Sequence, residues 1–126
     1  MPIRNPLRVA FDIHRLSAGG INGGIKIHLY EFIRQLSRFP DDLSLLIICH
    51  EPIIEELDFV AENLENEIHV IGSYPSGKRR DHIEKHPHFR YWPEPPSDLL
   101  KAIAADILYC GFVYSQFSDP DIPQIS

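Results

Sequence analysis

The chain has 126 residues, of which 44% are hydrophobic and 24% charged, with two cysteines and a formal charge of -6. This is the composition of one ordinary soluble domain that can bury a core without a disulfide or a metal, and it excludes collagen, low-complexity chains and disulfide scaffolds. The acidic balance argues against nucleic acid as the default partner, because phosphate binding needs a basic face.

The short β-rich apolar run at 8–13 predicts a buried first strand. Gly19, Gly20, Gly23 and Gly24 break the pattern. From there Ile25, Leu29, Phe32, Ile33 and Leu36 fall on one helical face, with Lys26, Arg34 and Arg38 largely outside it. Asn22 is the expected N-cap, and Pro40, Asp41 and Asp42 end the helix. Residues 43–49 are apolar almost throughout and predict an interior parallel strand. Pro52 opens a second helix carrying Ile53, Leu57, Val60, Ala61 and Leu64, which ends before Asn66. A third strand is predicted at 68–71. Residues 73–97, with five prolines and a run of charges, predict an ordered but irregular excursion. Ser97 or Asp98 caps a short helix over 99–105, a fourth strand covers 106–110, and 122–126 opens a fifth. That unfinished strand leads to the expectation that the 126 residues belong to a longer protein.

Cys49 and Cys110 lie inside apolar runs and read as small buried hydrophobes of a reduced compartment. No apolar stretch of signal-peptide length precedes the first strand, and no window reaches the roughly 18–20 apolar residues of a membrane span, so a cytoplasmic location is expected.

Strands alternating with helices predict the α/β class: a Rossmann-like open parallel sheet of four to five strands with helices on both faces, one domain over 1–126. With the first strand between the second and the fourth, a ligand crevice opens at the carboxyl ends of the first and fourth strands, at 14–24 and 111–116. Glycines between a strand and a helix let the backbone approach a ligand, and the N–H groups at the helix start favour an anion such as a diphosphate. The dinucleotide fingerprint is not matched: its nearest fit is Ala18, Gly20 and Gly23, with the first glycine replaced. No Gly-Lys-Ser/Thr follows, which removes a P-loop.

The run RVAFDIHRLSAGGINGGIKIHLYEFIRQL resembles the opening of retaining GT-B glycosyltransferases of family 4, in which a first strand leads through a glycine-rich loop into a helix. The resemblance continues through Leu29, Glu31, Phe32 and Leu36, the strand LSLLIIC and the segment DILYCGFVYSQFSDPDIPQIS. It implies the N-terminal, acceptor-side part of an enzyme for polysaccharide or glycolipid synthesis, moving a sugar from a nucleotide-sugar donor to a saccharide or lipid-linked acceptor. It also implies that Gly23 and Gly24 present N–H groups to the donor diphosphate beside Asn22, and that His14 and Arg15 face the acceptor. The donor-holding domain and the paired glutamates of that family lie outside these residues, so no sugar transfer is expected from them alone. A truncated sheet also leads to the expectation of self-association. The alternative is a free-standing Rossmann-like or flavodoxin-like module that binds a nucleotide or a protein partner. A nicotinamide oxidoreductase is a third reading, resting on Glu51 after the second strand.

His82, His86 and His88 have ligand-like spacing, but Pro87 interrupts them and nothing completes a closed site, so no metal is expected. No cofactor is expected either. Lys78, Arg79, Arg80, Lys85 and Arg90 outweigh Asp81 and Glu84, with Tyr74, Phe89, Tyr91 and Trp92 interleaved. This segment suits an anionic lipid surface or a lipid-linked acceptor contacted through 78–92 at the inner face of a membrane, or else a charged surface loop anchored by aromatics. No Ser, His and acid arrangement is visible, and a hydrolase has no support.

Overall fold

A parallel strand cannot pair with its sequence neighbour through a tight turn, so each strand here must be joined by a crossover that covers a face of the sheet. The computed structural model describes residues 6–14, 24–50, 56, 57, 60, 66–72, 89–110 and 115–125. Among them the elements run β1 (Leu7–Asp12), α1 (Ile25–Leu36), β2 (Leu43–His50), β3 (Glu67–Ile71), β4 (Phe89–Trp92), α2 (Leu99–Ala102), β5 (Ile107–Cys110) and β6 (Gln124–Ile125). The sheet order is β4-β3-β2-β1-β5-β6, with every neighbouring pair parallel. The fold is therefore an open parallel α/β sheet, with β1 between β2 and β5 as the strand pattern predicts.

Six strands form rather than four to five. The extra one, Phe89–Trp92, lies inside the stretch expected to be irregular. Its alternation sends Phe89 and Tyr91 to the face covered by α1, while Trp92 packs on the opposite side. Four residues beside prolines carry too little local signal for a strand, and pairing with β3 supplies what propensity does not. β6 has only two residues, shorter than the 122–126 strand expected.

The two faces hold separate cores. Phe11, Leu45, Ile47, Ile68 and Val70 meet Leu29 and Ile33 of α1, with Leu57 and Val60 beside them. Ala10, Leu46, Ile48 and Leu108 meet Leu99, Leu100, Ile103 and Phe117 on the other side. Phe11 stands edge-on to Phe32 at 5.9 Å between ring centroids and tilted to Tyr109 at 5.4 Å, joining strands β1 and β5 to α1. Lys26, expected on the solvent side, is instead buried and ion-paired with Glu56, which also accepts from the Tyr30 hydroxyl at 3.1 Å. Burial and the Glu56 carboxylate both push the Tyr30 phenol above its ordinary range. Of the predicted second helix only residues 56, 57 and 60 are described, with Leu57 and Val60 fully buried. Asn66, expected only as a helix end, is a buried clamp: its Oδ1 accepts from the Leu45 N–H and its Nδ2 donates to the Val60 carbonyl. Cys49 and Cys110 are buried thiols on strands separated by β1, and strand alternation sets them on opposite faces.

Helix α2 stops three residues before the predicted end at 105. Ala104 takes φ +58°, and the N–H groups of Ala104 and Ala105 bond back to the carbonyls of Lys101 and Leu100, a Schellman closure with alanine where glycine is usual. Arg8 completes this end, donating through Nη2 to the Ile103 carbonyl at 2.7 Å and through Nε to the Ala104 carbonyl at 3.0 Å. A guanidinium suits the negative end of a helix. The same Nη2 lies 2.9 Å from Glu67, whose other oxygen meets His69 Nε2 at 3.0 Å. His69 is fully buried and accepts at Nδ1 from the Trp92 indole at 2.9 Å. One polar chain thus crosses from β1 to β4 with its members satisfied in turn.

Two outcomes follow from this network. The His69 and Arg8 bonds hold the Glu67 carboxyl down from 4.5 to about 2, so its stabilisation is complete above pH 4.5 and is lost as the pH falls toward 2. Urea unfolding at a series of pH values should show Glu67→Gln destabilised by about 1 kcal/mol at neutral pH, the partly exposed end of the range for charge-assisted bonds, with the gap closing in acid. Ala104→Gly should stabilise the fold by about 1 kcal/mol in the same assay, since it removes the left-handed penalty on a Cβ.

Candidate functional site

The carboxyl ends of β1 and β5 meet at the point where the chain changes direction across the sheet, the place where open α/β sheets bind ligands. Asp12 ends β1 there and is 1% exposed. A buried carboxylate must be satisfied by donors, and three from the described residues converge on it. The His14 ring meets Oδ1 through Nδ1, the His14 backbone N–H donates to the same oxygen at 3.2 Å, and Ser115 Oγ donates to Oδ2. Ser115 Oγ in turn accepts from the Phe117 N–H at 3.1 Å. Phe117 stands edge-on to the His14 ring at 5.3 Å. The His14 side chain is 16% exposed, so it is anchored to the end of β1 rather than solvated.

The sequence shows no Ser, His and acid arrangement of the hydrolase kind, and the fold forms none, although it does gather three such residues. Asp12, His14 and Ser115 come together, although Ser115 is 103 positions from Asp12. Their order is not that of a nucleophilic triad, because the carboxylate stands between the other two. The serine hydroxyl donates to Asp12 rather than to an imidazole, so no base activates it. What the geometry does provide is a fixed imidazole: Nδ1 is engaged by the carboxylate, and Nε2 is the ring nitrogen that remains for a ligand. A hydroxyl of a ligand can pair with that nitrogen.

Gly24 is the N-cap of α1, in place of Asn22, because the first helical bond runs from the His28 N–H to the Gly24 carbonyl at 3.2 Å. Among the described residues no side chain caps this end. The Gly24 backbone, at φ -85°, suits any residue, and a Cβ built there meets nothing within 4 Å. The fold itself therefore does not require glycine at this position. Arg15, Asn22 and Gly23 lie outside the described residues, as do Gly19, Gly20, Glu51, His82, His86 and His88.

Other features fall away from the crevice. A shallow recess of about 430 Å³ between His28, Glu31, Phe32, Gln35 and Tyr109 opens on the α1 face of β5, and its floor is two aromatic rings. Among the described residues no group of three His, Cys, Asp or Glu side chains is placed to hold a metal ion, and no helix is long and apolar enough to cross a membrane. Phe89, Tyr91 and Trp92 are strand residues packed against the two cores, while 78–88 lie outside the described residues.

Sequence reasoning passed over Asp12 and Ser115. Asp12 had a signal, as the one acid in an apolar strand, whereas Ser115 had only its place within the 111–116 segment expected to line the crevice. Ser115→Ala should destabilise the fold by about 1–3 kcal/mol in urea unfolding, because it leaves one oxygen of a buried carboxylate without its donor. Comparison with known proteins supplies no relative: no protein-family model, curated protein or solved structure matches the chain.

Proposed function

We propose that the chain is the acceptor-side, Rossmann-like unit of a retaining glycosyltransferase, acting with a donor-holding domain to move a sugar from a nucleotide sugar to a saccharide or lipid-linked acceptor. The observation that carries this reading is the Asp12–His14–Ser115 cluster at the carboxyl end of the central strand, which fixes an imidazole at the crevice of a parallel sheet. The resemblance of 8–36 to the opening of GT-B enzymes of family 4 supports the same assignment. In this reading His14 receives a hydrogen bond from the attacking acceptor hydroxyl and orients it. In the same reading the backbone N–H groups at the start of α1, from Gly24 onward, serve the donor diphosphate, whose negative charge grows as the sugar departs, with Asn22 and Gly23 assigned to it by the family resemblance alone. The open space beside Gly24 is consistent with close approach of a ligand to that backbone.

Calorimetric titration of the 126-residue chain with UDP, GDP and their sugars tests this assignment. An acceptor-side unit should bind them weakly, with Kd above about 1 mM, because most donor contacts belong to the other domain. Micromolar binding that Gly23→Val and Gly24→Val abolish, with folding unchanged, would instead make the chain a nucleotide-binding module and overturn the proposal.

A further inference from the structure

Between β5 and β6 the chain passes Ser115 and Phe117, and these two residues reach the end of β1 through contacts that close on themselves. Ser115 Oγ donates to Asp12 Oδ2 and accepts from the Phe117 N–H at 3.1 Å. The other oxygen of Asp12 engages the His14 ring at Nδ1 and the His14 backbone N–H. The Phe117 ring completes the circuit, with its centroid 5.3 Å from that of the His14 ring and the two planes at 72°.

One hydrogen bond does not fix an imidazole, because the torsion that carries the ring is broad and a hydrogen bond tolerates a range of angles. A carboxylate bonded at one oxygen alone is equally free to turn. Here both freedoms are removed by residues about a hundred positions away. Ser115 holds Asp12 at Oδ2 while His14 occupies Oδ1, so the carboxylate is gripped at both oxygens. Phe117 bears on the body of the His14 ring, where an edge-to-face contact has a preferred geometry. Phe117 is itself held: it is 4% exposed and packs in the core formed by Ala10, Leu46, Ile48 and Leu108 of the sheet with Ile103 beside them.

The residue types suit these roles. A serine hydroxyl is donor and acceptor at once, so it can grip the carboxylate and still receive the Phe117 N–H, which ties the polar contact and the ring contact into one unit. That unit exists only where β1 and β5 lie side by side, with Asp12 paired to Cys110.

We infer that Ser115 and Phe117 are positioning residues for His14, holding its imidazole in one orientation, Ser115 through the Asp12 carboxylate and Phe117 by direct ring contact. This rests on the acceptor-side reading above, in which His14 orients the attacking hydroxyl, and it adds the connection between β5 and β6 to the residues that aim that hydroxyl. A group that orients a reactant is effective only while its own geometry is fixed.

Carbon-13 relaxation of the histidine rings in the labelled 126-residue chain tests the inference, since it reads the freedom of the ring directly. The His14 ring should have an order parameter of about 0.85, like rigid backbone, and should fall below about 0.6 in both Ser115→Ala and Phe117→Leu, while His69, bonded to Glu67 and Trp92, stays unchanged. Ile103→Val removes a methyl group from the core that holds Phe117 and is the control for lost stability alone: its Tm should fall with the His14 ring still rigid. If Ser115→Ala does not fold, Phe117→Leu decides, because it keeps the serine hydroxyl on Asp12. A His14 ring already mobile in the unmutated chain, one that stays rigid in either variant, or an equal loosening in Ile103→Val would each overturn the inference. A rigid His14 that these two variants loosen, in a chain with micromolar, glycine-dependent nucleotide binding, would sink the glycosyltransferase reading and leave the positioning roles standing.

Discussion

The central strand β1 has a parallel neighbour on each edge and a packed layer on each face, so any polar side chain it carries must find a partner within the protein. It carries two charges, Arg8 near its start and Asp12 at its end. Each gathers what surrounds it. Arg8 ties the strand to the last turn of α2, to Glu67 on β3 and, through its backbone N–H, to Asp106 at the entry of β5. Asp12 gathers His14 and Ser115 from the two chains that leave the sheet at β1 and β5.

These two ends do different work. At the Arg8 end Nε and Nη2 meet acceptors already supplied by the fold, and the chain of bonds through Glu67, His69 and Trp92 fastens β4 to the sheet. Such a network specifies one arrangement of strands, because a shift in register would strand several buried polar groups together. At the Asp12 end the bonds fix His14 but leave Nε2 of its ring for a ligand. A polar cluster saturated at one end of the strands and open at the other is what a scaffold with a binding edge requires.

The same contrast separates what was legible in the sequence from what was not. Strands β1, β2, β3 and β5 and helix α1 could be read because a parallel strand buried on both faces is apolar throughout, and a helix on its face repeats that apolarity at helical spacing. Strand β4 could not, since Phe89–Trp92 sits among prolines and becomes a strand through its ladder with β3 and the Trp92–His69 bond. The early end of α2 was hidden for a related reason: Ala104 has no local preference for a left-handed backbone, and the Arg8 side chain from 96 positions away bonds the carbonyls that this turn exposes. Lys26 looked solvated because its helical position is polar, yet Glu56 buries it.

Of the candidate site, the juxtaposition of the ends of β1 and β5 was legible in the sequence, because the order of strands follows from the alternation of strands and helices, and His14 follows β1 directly. The Asp12–Ser115 bond and the Phe117 contact with His14 were not. The sequence by itself determined the class of fold and the central position of β1, since these depend on local periodicity and on the chirality of crossovers. Only the tertiary structure decided which polar groups are satisfied and which remain open. That balance depends on contacts between residues a hundred positions apart, and no local pattern encodes whether a buried nitrogen will find its partner.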